Sequence, residues 1–165
     1  MKINIIVAHC NNYGIGYKNK LPWKYSCDMK LFKNMTSSSL KPAIVMGRKT
    51  WESIPKTPLP KRKNYVLSNT LNNEYTFNNI DDILNDCNKN KIDELWVIGG
   101  SSVYNLFLEK DIVDNQYITI INKYFNCDTY LTPYYKNNCW KLIKSYDEFE
   151  NDTKLTFNIY NKIVN

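Results

Sequence analysis

The chain has 165 residues, of which 43% are hydrophobic and 23% are charged, as in an ordinary globular protein. This length can bury a proper core, and we expect a single domain over residues 1–165. The net charge of +6 fits either a solvated lysine-rich surface or attraction to anionic ligands, and charge alone does not decide between them. The five cysteines are widely spaced and include no C-x-x-C pair, which argues against a disulfide framework and a zinc site and predicts reduced thiols.

The sequence gives no indication of export or of a membrane span. No segment reaches the roughly 20 apolar residues that a membrane-spanning helix needs. The apolar run in MKINIIVAHC has the length of a strand and lacks a cleavage site, so we expect a cytoplasmic protein. His9, the only histidine, has no second ligand or nucleophile beside it, and we interpret it as structural and expect no metal site.

The first predicted strand covers residues 3–8. Apart from Asn4 this run is apolar and rich in β-branched residues, which suits a strand that is buried on both faces. The turn-rich segment 11–16 follows, and its Gly14 and Gly16 form only a G-x-G, so a dinucleotide fingerprint is not present here. We expect a mobile loop between this strand and the first helix.

The stretch LPWKYSCDMKLFKNM, residues 21–35, predicts that first helix. Pro22 stiffens the entry, and Ser26 is the expected N-cap. One helical face is apolar except for an acid in its first turn; its members are Asp28, Leu31, Phe32 and Met35. Asp28 can lie in a pocket, where a carboxylate grips a ligand with several donors, or it can favour the helix N-terminus from the solvent side. These two interpretations have equal weight at this point.

Two predicted strands end in glycine and lead directly into a helix. Strand 43–46 is followed by Gly47, Arg48, Lys49 and Thr50, and strand 95–98 is followed by Gly99, Gly100, Ser101 and Ser102. Backbone N–H groups at a helix N-terminus attract phosphate, and glycine allows a ligand to approach closely. The second junction is the more informative one, because the first is equally compatible with an ordinary turn between solvated cations.

The remaining elements complete an α/β pattern. We predict a strand at 64–68, a short helix at 81–87, and a strand at 117–121 with Thr119 pointing inward, followed by a loop at Asp128 and Thr129. Segments 140–146 and 155–160 alternate in polarity around a turn at Asn151 and Asp152, which predicts an antiparallel hairpin. The expected fold class is single-domain α/β, a mostly parallel central β-sheet flanked by helices and closed by the C-terminal antiparallel hairpin.

In this order the motifs resemble those of the dihydrofolate reductase family over nearly the whole chain. The matching residues are strand 3–8, Gly16, Leu21-Pro22-Trp23, Asp28 with Phe32, segment 46–54, Pro58-Leu59-Pro60 with Arg62, Ile98-Gly99-Gly100 with Tyr104, and Asp128-Thr129. The resemblance implies reduction of 7,8-dihydrofolate by hydride transfer from NADPH, in a monomer that also binds antifolate-like small molecules. It further implies a cis peptide bond between Gly99 and Gly100.

The resemblance assigns the substrate side of the site. Asp28 would accept hydrogen bonds from the pterin, Thr119 would support it, and its charge would favour a protonated ring. Leu21 would lie over the nicotinamide, with Trp23 near the water that supplies the proton. Arg62 would bind the α-carboxylate of the glutamate tail. The other expected substrate contacts are Ile6, Val7, Met29, Phe32, Ile54, Leu59, Ile98 and Tyr104.

The resemblance also assigns the cofactor side. Arg48, helped by Lys49, would bind the 2′-phosphate and so select NADPH over NADH. The expected contacts are Ala8, Ile15, Gly16, Gly47, Arg48, Lys49, Thr50, Leu67, Ser68, Asn69, Gly99, Gly100, Ser101, Ser102, Val103 and Tyr104. Some members of the family carry a third glycine and an arginine where Ser101 and Ser102 stand, which leaves Arg48 and Lys49 as the main phosphate cations here.

Two other functions fit the sequence less well. A reductase of a ribosylated pyrimidine in riboflavin synthesis would share the fold, but it is not expected to carry Pro22-Trp23 with Asp28, or Arg62 for a glutamate tail. A basic nucleic-acid-binding domain would cluster its cations and aromatics on one face, whereas the lysines here are dispersed. We therefore do not expect nucleic acid as a partner.

Overall fold

A computed structural model describes residues 1–164, which form ten strands, four α-helices and one short 3₁₀ helix at Tyr134–Lys136. The strands are β1 (Lys2–His9), β2 (Gly14–Gly16), β3 (Pro42–Gly47), β4 (Lys63–Leu67), β5 (Thr76–Phe77), β6 (Glu94–Val97), β7 (Asn115–Ile121), β8 (Thr129–Tyr130), β9 (Trp140–Glu150) and β10 (Thr153–Lys162). The helices are α1 (Ser26–Ser37), α2 (Arg48–Ser53), α3 (Ile80–Lys89) and α4 (Ser101–Glu109).

The central sheet has the strand order β5-β4-β3-β6-β1-β7-β10-β9. Neighbouring strands from β5 to β7 in this order are parallel, and β10 is antiparallel to both β7 and β9. Val97 of β6 is in register with Ile5 of β1 and with Val45 of β3, so these three strands end at the same edge of the sheet. The predicted fold class is confirmed, and the shared edge places the loops after β1, β3 and β6 next to one another.

Helices cover both faces of the sheet. On one face α3 and α4 pack on a core that includes Ile5, Val45 and Leu95. On the other face Phe32 of α1 and Trp51 of α2 pack against a smaller cluster. Alternate residues of a strand point to opposite faces, so β1 contributes to both cores and is hydrophobic on both sides. This burial on two sides explains why residues 3–8 are apolar apart from Asn4, whose side chain accepts a hydrogen bond from the Asn115 amide (2.9 Å).

The predicted N-cap of α1 is wrong. Tyr25 occupies the N-cap position without a side-chain cap, and Ser26 is the first helical residue. The Glu150 carboxylate, from the end of β9, accepts hydrogen bonds from the backbone N–H groups of Ser26 (2.8 Å) and Cys27 (2.9 Å) and from the Ser26 hydroxyl (3.0 Å). An anion delivered by the hairpin therefore satisfies the open N–H groups that a local cap would otherwise take.

A second small sheet replaces part of the loops predicted at 11–16 and at Asp128–Thr129. Strands β2 and β8 pair in antiparallel fashion, and the Asp128 N–H extends this pairing with a hydrogen bond to the Gly16 carbonyl (2.9 Å). Both strands are too short to be recognised from side-chain alternation, because only tertiary pairing defines them. No helix within residues 1–164 has the length and apolar character needed to cross a membrane.

Candidate active site

Asp28 lies in the first turn of α1, a helix that covers one face of the sheet. Although the residue keeps some exposed surface, its carboxyl group is enclosed, and this burial raises its pKa to about 6. The Thr119 hydroxyl on β7 opposes the rise because it favours the ionised carboxylate, whereas the negative charge of Glu150 adds to the rise. The acid is therefore mostly ionised at neutral pH, in a place where an anion attracts a donor-rich or cationic ligand strongly.

Tyr104 of α4 approaches the same region from the other side of the sheet. Its hydroxyl is buried and donates a hydrogen bond to the Ile6 carbonyl (3.0 Å). Burial raises the Tyr104 pKa well above its ordinary value, and the negative charge of Asp28 adds to the rise. Tyr104 thus holds the end of β1 in place and remains a neutral hydrogen-bonding group.

An apolar wall extends from Asp28 along α1. Five of the predicted substrate contacts belong to one hydrophobic cluster on this face of the sheet; they are Ile6, Phe32, Ile54, Leu59 and Ile98. Two others do not join it. Met29 is 54% exposed, and Val7 packs into the core on the opposite face. The wall is therefore built from β1, α1, the loop after α2 and the end of β6.

Leu21 and Trp23 differ in exposure. Leu21 is 59% exposed, whereas Trp23 is buried and packs its ring against Phe125 at a centroid distance of 5.3 Å. The Trp23 indole N–H is buried and has no hydrogen-bond acceptor within the part of the chain that the structure describes. The indole N–H can consequently donate a hydrogen bond to a small polar molecule.

Arg62 is held at the far end of α1. Its Nε donates to the Pro60 carbonyl (2.9 Å), and its Nη1 donates to the Thr36 hydroxyl (2.9 Å). The same hydroxyl donates to the Phe32 carbonyl (2.8 Å) and so belongs to the helix. Partial burial lowers the Arg62 pKa, yet guanidinium stays charged at any neutral pH. A guanidinium has five N–H donors, and those not bonded to Pro60 and Thr36 remain for a carboxylate.

The edge of the sheet between β3 and β6 is formed by glycine backbone. The Gly47 N–H donates to the Gly99 carbonyl (2.8 Å), and the peptide bond between Gly99 and Gly100 is cis, as expected. Gly99 has a φ of 127°, and a Cβ there would lie 3.2 Å from the Tyr104 hydroxyl oxygen and 3.5 Å from that of Thr50. Only glycine fits this position, and the absence of a side chain leaves the edge open to close approach.

The N-terminus of α4 begins at this same edge. Gly100 is its N-cap and provides no side-chain acceptor, and the Ser101 hydroxyl instead donates to the Tyr130 carbonyl (2.9 Å). The Val103 and Tyr104 N–H groups donate to the Gly100 carbonyl (3.0 Å each), whereas the Ser101 and Ser102 N–H groups have no acceptor among the described residues. These two free N–H groups present partial positive charge at the glycine edge. This is an arrangement suited to a phosphate.

Arg48 is the cation nearest in sequence to this edge, at the start of α2. Its Nη1 donates to the Thr70 hydroxyl (2.7 Å), and its Nε pairs with Glu52 (3.2 Å). The Ser68 hydroxyl oxygen accepts the Thr70 N–H (3.2 Å), which draws the loop after β4 towards Arg48. The side chain is about half exposed, at 46%, and can therefore reach an anion in solvent.

The dihydrofolate reductase family model matches residues 2–162 of this chain. The chain belongs to the dihydrofolate reductase family. A dihydrofolate reductase of Buchnera aphidicola subsp. Baizongia pistaciae is 39% identical over 174 residues, covering 99% of this chain and 100% of the relative. That of Gallus gallus is 35% identical over 184 residues, covering 98% and 97%, and that of Drosophila melanogaster is 36% identical over 143 residues, covering 79% of each chain.

Membership of the dihydrofolate reductase family makes the chain an oxidoreductase of folate metabolism. The family in general uses a nicotinamide cofactor and binds dihydrofolate and antifolate-like ligands. These statements agree with a site that has an acid, an apolar wall and an arginine, together with a glycine edge and a helix N-terminus suited to phosphate.

The other residues expected to contact the cofactor lie in several elements of the fold. Ile15, Leu67 and Val103 pack on the larger core, Ala8 packs on the cluster around Trp23, and Gly16 lies in β2. The Thr50 hydroxyl oxygen would lie 3.5 Å from a Cβ at Gly99, whereas Lys49, Asn69 and Ser102 are exposed. These three exposed residues are accessible to a ligand from solvent. The roles of all the expected cofactor contacts stay predictions.

Sequence reasoning missed three residues that shape the site. Glu150 fixes the start of α1, Thr36 fixes Arg62, and Thr70 fixes Arg48. None of them has a local signal, because each acts on a residue far away in the sequence. An i, i+4 relation between Thr36 and Phe32 predicts a hydroxyl bonded to the helix backbone, and this is the only one of these contacts that spacing could have indicated.

Proposed function

We propose that this enzyme reduces 7,8-dihydrofolate to 5,6,7,8-tetrahydrofolate with NADPH as the hydride donor. The proposal rests chiefly on one observation, the placement of Asp28 and Arg62 at opposite ends of α1 along a single apolar wall. Thr36, which holds Arg62, is eight residues beyond Asp28, a separation of about 12 Å along a helix. A ligand with a donor-rich ring at one end and a carboxylate at the other matches this arrangement.

The residues present fit a phosphate-bearing cofactor. The edge at Gly47 and Gly99 has no room for side chains, and the uncapped N-terminus of α4 offers N–H groups for a pyrophosphate. Arg48, with the Ser68 and Thr70 hydroxyls beside it, would hold the 2′-phosphate that distinguishes NADPH from NADH. When bound, NADPH supplies the hydride.

The chain's own side chains would bind the substrate and assist its protonation. Asp28 would accept hydrogen bonds from the amino group and ring N–H of the pterin, and its negative charge would favour the protonated ring. The Trp23 indole N–H, buried without an acceptor among residues 1–164, would hold the water that delivers the proton. Leu21, exposed at the entrance, would cover the reacting rings when the substrate is bound.

Loss of NADPH absorbance in the presence of 7,8-dihydrofolate tests this proposal directly. We expect rapid loss with NADPH and a much slower reaction with NADH. A ribosylated pyrimidine, the substrate of the competing reductase class, should give no reaction. Absence of turnover with dihydrofolate, or turnover of the pyrimidine instead, would overturn the assignment. The monomeric state and the cytoplasmic location stay predictions.

A further inference from the structure

Cys10 and Cys127 form a pair of thiols that the proposed reaction does not use. Their sulfur atoms are 3.9 Å apart, although the residues are 117 positions apart in sequence. Cys10 follows β1 and is fully buried, whereas Cys127, which precedes β8, is partly exposed. All five cysteines are free thiols in the structure.

The surrounding backbone holds the two thiols in this position. The Asn11 N–H donates to the Lys123 carbonyl (3.0 Å), and the Asn12 amide bridges the two segments by accepting from Cys10 Sγ (2.8 Å) and donating to the Phe125 carbonyl (3.4 Å). A Cβ at Gly14 would lie 2.6 Å from the Cβ of Cys127 and closer still to its sulfur. Gly14 thus leaves the space in which the Cys127 side chain lies against Cys10.

From this geometry we propose that Cys10 and Cys127 are a disulfide-forming site, which closes by thiol–disulfide exchange with a small-molecule disulfide and clamps segment 10–16 to segment 123–128. A disulfide bond is about 2.05 Å long, so its formation requires the sulfurs to approach by about 2 Å. Cys139 is exposed but has no neighbouring thiol with which to form an intramolecular bond among the described residues.

The exchange takes two steps, and atoms and electrons balance. The partly exposed Cys127 thiolate attacks one sulfur of the small disulfide, which forms a mixed disulfide and releases one small thiolate. The Cys10 thiolate then attacks Cys127 Sγ, which forms the protein disulfide and releases the second small thiolate. The two protons lost by the cysteines convert the small thiolates to thiols, so the protein is oxidised and the small disulfide is reduced.

The environment of Cys127 makes this exchange slow at neutral pH. Burial raises the Cys127 pKa to about 11, Cys10 and the charge of Asp128 add to the rise, and the Gly16 backbone N–H opposes it. Below that pKa the thiolate fraction increases about tenfold for each pH unit, and the rate of disulfide formation should increase with it. The site would therefore respond to sustained oxidation and not to brief fluctuations.

Oxidised glutathione applied to the whole enzyme, followed by mass spectrometry of non-reduced peptides, tests the proposal. We expect the peptides of Cys10 and Cys127 to be joined, with loss of two hydrogen atoms, and Cys139 to carry only glutathione. The Cys10→Ser variant should stop at a glutathione adduct on Cys127, and Cys139→Ser should leave the link unchanged. Modification of Cys139 without any link between Cys10 and Cys127 would overturn the proposal.

Limited proteolysis of the native enzyme tests the clamp separately and does not depend on activity. Lys18 and Lys20 are exposed in the segment that follows β2. Trypsin should cut there several-fold more slowly in the oxidised enzyme than in the reduced one, and dithiothreitol should restore the faster rate. Equal cutting rates before and after complete disulfide formation would show that the bond does not clamp the segment.

Discussion

Replacement of Arg62 by alanine should weaken binding of dihydrofolate without weakening binding of the pterin ring alone. Arg62 bonds to Pro60 and Thr36 through two of its five donors, which leaves enough N–H groups for a bidentate contact to a carboxylate. Each hydrogen bond to a charged group is worth about 1.5–3 kcal/mol. Because the guanidinium is partly exposed, we expect a loss of about 2–3 kcal/mol, or roughly a 30- to 150-fold rise in Kd.

Fluorescence titration with dihydrofolate and with a pterin that lacks the glutamate tail measures this loss. Lys56→Ala is the matched control, since Lys56 is an exposed cation in the same loop. Thr36→Val removes an acceptor of Arg62 and should give a smaller loss that is again confined to the full-length ligand. If Arg62→Ala weakens both ligands equally, Arg62 supports the fold of the loop and does not bind the tail.

Two further predictions concern the cofactor and the start of α1. Arg48→Leu should raise the Kd of NADPH about tenfold or more and leave that of NADH unchanged, because only NADPH carries the 2′-phosphate; equal losses would contradict the assignment. The N–H groups of Cys27 and Ser26 lower the Glu150 pKa from 4.5 to about 2, so the stability that Glu150 contributes is present above pH 4.5 and is lost as the pH falls towards 2. Glu150→Gln should therefore lower Tm at neutral pH and reduce its acid dependence, whereas Glu148→Gln on the same exposed strand should change neither.

Much of this fold could be predicted because its strands are buried on both faces. The apolar, β-branched composition of residues 3–8 is enough to indicate a strand buried on both faces. A glycine pair directly after a strand indicates where the backbone is open to a ligand. Asp28 could be singled out because an acid on an apolar helical face contradicts the pattern around it. These features depend on neighbours within a few residues.

The features that could not be predicted depend on contacts between distant segments. Glu150 replaces the expected cap of α1 from 123 residues away, and β2 and β8 exist only because they pair with each other. Asn158 is one of the polar residues of the alternating segment 155–160, yet its side chain is buried. The spacing of residues in the sequence cannot predict such contacts, because they depend on how the hairpin packs against α1 and β7.

Removal of the Asp28 charge should make the protein more stable. Burial raises the Asp28 pKa from 3.8 to about 6, so the fold is more stable when this acid is protonated. That contribution to the free energy of unfolding is fully present below pH 3.8 and is lost as the pH rises through about 6. A rise of about two units corresponds to about 3 kcal/mol, and partial exposure makes this an upper value. Asp28→Asn should therefore unfold at a higher urea concentration than the wild type at pH 8, with little difference at pH 3.

The kcat/KM of Asp28→Asn for dihydrofolate at neutral pH is the most direct test of the role proposed for this acid. Asparagine keeps the shape of the side chain but removes the charge and turns one acceptor into a donor. We expect kcat/KM to fall at least about a hundredfold, or roughly 2.7 kcal/mol of transition-state stabilisation, and to recover in part at acid pH. The Kd of NADPH should remain that of the wild type, which shows that the variant is folded. Turnover at the wild-type rate at neutral pH would contradict the account.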